Sequence, residues 1–173
     1  MTRFTVAPGR SSVSLAGRSS LHPVHWSTTA AQGFLDAQIA TGAQINQAIR
    51  PAGRLAVEAE GLKSGNELYD LEMRRRLDTR RYPTIVVQLL ELAETAPAGN
   101  GRYHATGDLT VRGMTRRVTG DLTLKRADER TLEVSGEQTF DIRDFGITPP
   151  SLLGLKVYPD VQVAIQLVLV QDS

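Results

Sequence analysis

Cysteine is missing from all 173 residues, which excludes disulfides, thiolate metal sites and cysteine nucleophiles and leaves the redox compartment open. Aromatic residues are scarce, with one Trp, four Phe and four Tyr, so any core built here is mainly aliphatic. No run approaches the ~20 apolar residues of a spanning helix; the longest candidate, Val161 to Val170, is broken by Gln162 and Gln166. The opening MTRFTVAPGRSSVSL has neither the apolar stretch nor the small-residue cleavage site of a secretory signal. Stable membrane insertion is therefore not expected, and the expected location is the cytoplasm. Charge of one sign is lacking too: 20 basic residues face 19 acidic ones, whereas a dedicated nucleic-acid binder carries a basic excess.

What is present is alternation. Leu35, Ala37 and Ile39 alternate with Asp36 and Gln38, and Leu55, Val57 and Ala59 with Ala56, Glu58 and Glu60. Leu109 and Val111, then Val118, Leu122 and Leu124, then Leu132 and Val134, and finally Val161, Val163, Ile165, Leu167 and Leu169 repeat the pattern. This is the period of strands with one face buried. Turn signals punctuate the runs at Pro8-Gly9, Gly42, Pro51 to Gly53, Pro97 to Gly101, Arg112-Gly113 and Ala127 to Arg130. About eight strands joined mostly by short turns close most simply into an up-and-down antiparallel barrel, an all-β fold within one domain spanning residues 1–173.

One segment breaks the strand pattern. From Ser64 to Pro83 the chain reads SGNELYDLEMRRRLDTRRYP, a charged helix from about Asn66 to Leu77. Asn66 caps its start, Glu67 and Asp70 complement the positive end of the dipole, and the arginine run sits near the negative end. The spacing places Leu68, Leu71 and Arg75 on one stripe with Met73 and Leu77 beside it, and turns Glu67, Glu72, Arg74 and Arg76 toward water. A helix at one end of a closed barrel suggests a lid. The apolar loop from Pro149-Pro150 through Leu152 to Leu155 is a second candidate cover for a barrel mouth, or a contact for another subunit.

The inward parity gives a candidate lining of Leu15, Leu35, Ala37, Leu55, Val57, Leu109, Val111, Leu122, Leu124, Val134, Val163, Ile165 and Leu167. Such small and aliphatic side chains either leave space for a ligand or collapse into a dry core; parity alone does not choose. At the mouth, LHPVHW supplies His22, His25 and the single Trp26, while Arg74 and Arg75 could meet an anionic headgroup. Arg74, Arg75, Arg76, Arg80 and Arg81 also read simply as a solvated face. Pro23 keeps the two histidines off a regular helix and His104 is distant, so no metal site is expected. Asp144-Phe145-Gly146 matches a kinase triplet without the rest of a kinase, and no Gly-x-Ser-x-Gly elbow is present. Asp141, Arg143 and Asp144 read instead as a charge-paired strand end.

Three ordered segments resemble the YceI-like family: SGNELYDLEMRRRLDTRRYP, GDLTVRGMTRRVTGDLTL from Gly107 to Leu124, and FDIRDFGI followed by VYPDVQVAIQLVL. Gln32-Gly33-Phe34 carries the glycine and phenylalanine of the family's Gly-x-Phe, here adjacent, whereas SSLHPVHWSTTA before it departs from the commoner pattern. The resemblance implies a lipocalin-like barrel that holds a polyisoprenoid chain such as a quinone tail or prenyl lipid, often as a homodimer, with no enzyme activity and no cofactor beyond that bound lipid. Two other readings stand beside it: a barrel filled by its own side chains and serving as a stress-related interaction scaffold, and an enzyme using His22 and His25 on a hydrophobic substrate.

Overall fold

Alternation of the kind just described must bury one face of every strand, and in the computed structural model the sheet does so by closing on itself. The structure describes residues 1–40, 42–152 and 154–173. The strands are β1 (Thr2–Val6), β2 (Ser12–Ser19), β3 (Pro23–Thr28), β4 (Ala31–Ala37), β5 (Ala52–Glu58), β6 (Thr84–Glu94), β7 (Arg102–Val111), β8 (Met114–Asp128), β9 (Thr131–Asp141), β10 (Ser151–Leu152) and β11 (Leu155–Gln171). The circuit β1-β4-β5-β6-β7-β8-β9-β11 returns to β1 through the pairing of Phe4 with Gln171 and Val6 with Leu169. This is the expected eight-stranded antiparallel barrel.

Two of its staves are broken. After β1 the chain turns at Pro8-Gly9, with Gly9 at φ 77, and resumes as β2 against the earlier part of β11, from Ser12–Gln166 to Val157–Ser19. The buried Ser11 hydroxyl spans the break, donating to the Ala7 carbonyl and accepting from the Val168 amide. β3 pairs only with β2 among the long strands and leads through Thr29-Ala30 into β4, which pairs with β5 and β1.

The two ends are closed differently. At the end where β1 begins and β11 finishes, Phe4, Ala37, Ile45, Leu92, Tyr103, Leu132 and Leu169 form a buried hydrophobic cluster. Tyr103 is fully buried, and its hydroxyl accepts from the Ile45 amide and donates to the Ala43 carbonyl, tying the β4–β5 connection across the opening as a floor. At the opposite end α1 (Glu67–Leu77) lies between β5 and β6. Asn66 Oδ1 accepts from the Leu68 and Tyr69 amides, so the helix begins where its capping residue predicts.

The face that α1 buries differs from the expected one. Leu68 and Leu71 are more than half exposed, whereas Asp70 and Leu77 are buried and Met73 partly so. Asp70 Oδ1 accepts from both the backbone amide and the hydroxyl of Ser64. Held inward by these bonds, Asp70 brings Met73 and Leu77, three and seven residues on, to the same face. Leu77 packs with Ala59, Phe145 and Ile147 in a seam under the lid. The Pro149–Leu155 segment joins this cover: Leu152 and Leu155 are buried and Pro150 faces the barrel interior, while Leu153 lies outside the described residues.

Candidate functional site

Between floor and lid the barrel is hollow. A cavity of about 380 Å³ runs through it, within the range of small-molecule sites. Its signature is in the burial of the inward set. Near the ends, Leu124, Val134 and Leu167 are buried, but at mid-height Leu15, Leu55, Leu109, Leu122, Val163 and Ile165 remain partly accessible although they point inward. In a filled barrel these would be the most enclosed side chains. Of the two alternatives that parity left open, the middle of this molecule matches the open interior rather than the collapsed one.

Glycine makes part of the room. Leu122, Gly136 and Ile165 stand in one registered row across β8, β9 and β11. A Cβ on Gly136 would lie 2.7 Å from Leu122 Cδ2 and 2.8 Å from the Asp121 carbonyl oxygen. The absence of a side chain lets Leu122 lie over the β9 backbone instead of being driven further into the lumen.

Of the thirteen inward candidates, only Ala37 lies off the cavity wall; it is fully buried in the floor cluster. Sequence reasoning missed β6, whose Ile85, Val87, Leu89 and Leu92 line the cavity. The register slips between Leu89 and Glu91, which switches parity partway along TIVVQLLELAE and hides the alternation. The candidate lining also left out Met73 and Leu77 of the expected helical lid, Pro150 of the expected covering loop, and Phe145 and Ile147 just before that loop, all of which line the cavity.

The mouth residues separate into two groups. Trp26 is buried and lines the cavity, with its Nε1 lacking a hydrogen-bond partner among the described residues. His22 and His25 face outward: His22 sits in the β2–β3 turn, and the alternation that buries Val24, Trp26 and Thr28 necessarily turns His25 to solvent. A histidine pair acting on a substrate in the lumen is thus not assembled. His104 is also outside, 2.9 Å from Asp121.

The arginines are likewise sorted. Arg74 donates from Nε to the Asp70 carbonyl and does not reach the lumen wall; Arg75 is exposed beside it. Arg76, expected in water, lines the cavity and donates from Nε to Glu72 at 2.8 Å. The lid-side end of β9 carries the anticipated charge pair, in which the Arg143 guanidinium and backbone amide hold the Asp141 carboxyl below its ordinary value. In the floor, burial pushes the Tyr103 phenol up, against the opposing effect of the Ile45 amide. Among the described residues no helix is long and apolar enough to cross a membrane.

Solved structures share this architecture. BcnA of Burkholderia cenocepacia is 20% identical with a TM-score of 0.77, covering 94% of this chain and 98% of its own. A polyisoprenoid binding domain from Saccharophagus degradans is 13% identical with a TM-score of 0.76, covering 98% of each chain. The YCEI protein of Campylobacter jejuni is 16% identical with a TM-score of 0.59, over 80% of this chain and 81% of that one. No curated protein matches the chain in sequence. The family model of the YceI-like domain, however, matches residues 4–169, nearly the whole barrel from β1 to the end of β11, and the chain belongs to the YceI-like family.

Proposed function

We propose that the protein binds one long apolar chain, of polyisoprenoid or quinone-tail type, in the barrel lumen and carries it without acting on it chemically. The observation that carries this reading is the ring of half-accessible aliphatic side chains around a cavity of about 380 Å³. Each buried methylene of a tail contributes roughly 0.8 kcal/mol, so a chain threaded past Leu15, Leu55, Leu122 and Ile165 needs no catalytic group to be held. The polyisoprenoid binding domain that shares the fold supports the ligand class.

The test is mass spectrometry of the protein from cells, first native and then after organic extraction, followed by uptake of an added panel of prenyl alcohols and quinones. One hydrophobic molecule per chain is expected. Folded protein that takes up no member of the panel refutes the reading.

A further inference from the structure

Beside the lumen lies a second cavity of about 170 Å³, lined by Arg75, Arg76, Arg112, Gly146 and Thr148. Three stretches remote in sequence supply it: the last turn of α1, the β7–β8 turn, and the segment after the short Ile142–Phe145 helix. Its charge is unbalanced. Glu72 takes Arg76 Nε at 2.8 Å and Arg75 Nη1 at 3.5 Å. Arg112 makes no ion pair among the described residues, and its Nε is buried without a hydrogen-bond partner. Asp144, on the same segment as Gly146, lends only its backbone carbonyl, to Arg116. Three guanidinium groups therefore share one carboxylate.

Leaving a buried charged donor unpaired is costly, and so is crowding like charges; an anion seated between the arginines relieves both. The backbone at Arg112 adds to the cost. Arg112 and Gly113 form the hairpin turn with φ 52 and φ 73, a conformation that favours Asn or Asp before the Gly. Across from it Gly146, at φ 70, leaves the wall bare: a Cβ there would lie 3.0 Å from Met114 Sδ and 4.0 Å from Arg112 Nη1. Arg76 lines both cavities, so the cradle and the lumen meet at one side chain.

We propose that Arg75, Arg76 and Arg112 form a cradle for the phosphate group of a phosphorylated long-chain amphiphile whose tail occupies the lumen. The proposal rests on the lumen reading above and adds the headgroup. A phosphate ester carries about −1.5 to −2 charge near neutral pH and three acceptor oxygens, matching the excess of guanidinium over carboxylate, and guanidinium forks bind phosphate oxygens in pairs. The Thr148 hydroxyl offers a further donor. A neutral alcohol or quinone head would leave Arg112 as unpaired as before.

The experiment titrates the full chain with geranylgeranyl phosphate and with geranylgeraniol, reading the fluorescence of Trp26, the only tryptophan and a lumen residue. Inorganic phosphate alone is titrated in parallel by calorimetry. Wild type is compared with Arg112→Asn, which suits the turn, and with Arg75→Gln on the exposed face of α1. The expected result is a preference of about tenfold or more for the phosphate ester over the alcohol, from charge-assisted hydrogen bonds. Either substitution shrinks that preference while the alcohol binds as before. Equal binding of ester and alcohol by wild type, or a preference untouched in both folded variants, overturns the cradle and leaves the lumen reading standing. Binding of neither lipid overturns the lumen reading and with it the tethered headgroup. Inorganic phosphate bound as tightly as the ester, and lost in Arg112→Asn, overturns the amphiphile and assigns the cradle to free phosphate.

Discussion

Blocking the lumen at mid-height separates binding from folding. Leu122 is partly accessible, lies over Gly136, and stands in the same registered row as Ile165, with Gly136 between them. In Leu122→Trp the indole enters open space rather than a packed shell, so the overpacking cost of about 1–3 kcal/mol seen in dense cores does not apply in full. The same indole excludes the stretch of tail that would pass this row. Excluding one isoprene unit, roughly five carbons at ~0.8 kcal/mol each, removes up to ~4 kcal/mol of transfer free energy. At about 1.4 kcal/mol per tenfold, affinity for a prenyl alcohol falls by about two to three orders of magnitude. The assay pairs lipid uptake with thermal unfolding of the ligand-free protein. A folded Leu122→Trp protein that binds the lipid as tightly as wild type refutes the premise that the tail runs past this position.

Other substitutions act on folding. Gly136→Ala places a Cβ 2.8 Å from the Asp121 carbonyl; a loss of about 1–3 kcal/mol is expected in urea unfolding, and an unchanged midpoint would show that the β8–β9 backbone yields freely. Asn66→Ala leaves the Leu68 and Tyr69 amides without their cap; it costs about 1 kcal/mol and speeds lipid exchange through the lid, which stopped-flow release would detect. Tyr103→Phe strips partners from the Ile45 amide and the Ala43 carbonyl and costs about 1–3 kcal/mol, with faster hydrogen exchange confined to the floor as its signature. For pH, side-chain hydrogen bonds from Arg3 lower the Asp36 carboxyl in the folded protein from its ordinary 3.8. A depressed carboxyl contributes stability that is complete above the ordinary value and disappears as pH falls through the lower folded one. Asp36→Asn therefore flattens the acid limb of stability against pH; an acid limb as steep as wild type's contradicts the assignment.

Strand parity on β2, β5, β7, β8 and β11 was legible because these strands keep one face inward over the stretches that line the lumen. β6 was not, since the bulge at Leu90 exchanges faces and leaves a nearly continuous apolar run. The helix boundaries could be read from Asn66 and the arginines, but its rotation could not: hydrophobicity alone turns Leu68 and Leu71 inward, and only the contact between Ser64 and Asp70 reveals the other face. The LHPVHW cluster mixed two environments within six residues. A strand places Trp26 inside and His25 outside, and a reading by chemical type groups what alternation separates. Arg112 showed itself only as half of a turn. That it meets Arg75 and Arg76 follows from barrel closure, which brings the β7–β8 turn under the end of α1.

The division of the interior explains why a hollow barrel can stand. The floor cluster from Phe4 to Leu169 and the lid seam of Ala59, Leu77, Phe145 and Ile147 are buried hydrophobic clusters, with Tyr103 and Asp70 hydrogen-bonded within their respective ends. Burial at these ends, together with the cross-strand ladders, stabilises the fold, so the middle need not be filled to hold the strands in register. A ligand that binds only the folded state then adds stability by mass action, about 2.7 kcal/mol when its free concentration is a hundred times its dissociation constant. A saturating prenyl lipid should accordingly raise the unfolding midpoint of wild type and of Tyr103→Phe alike, because Tyr103 is not on the cavity wall, and should leave Leu122→Trp nearly unmoved. A midpoint shift in Leu122→Trp as large as in wild type would mean that the stabilising ligand sits somewhere other than the lumen.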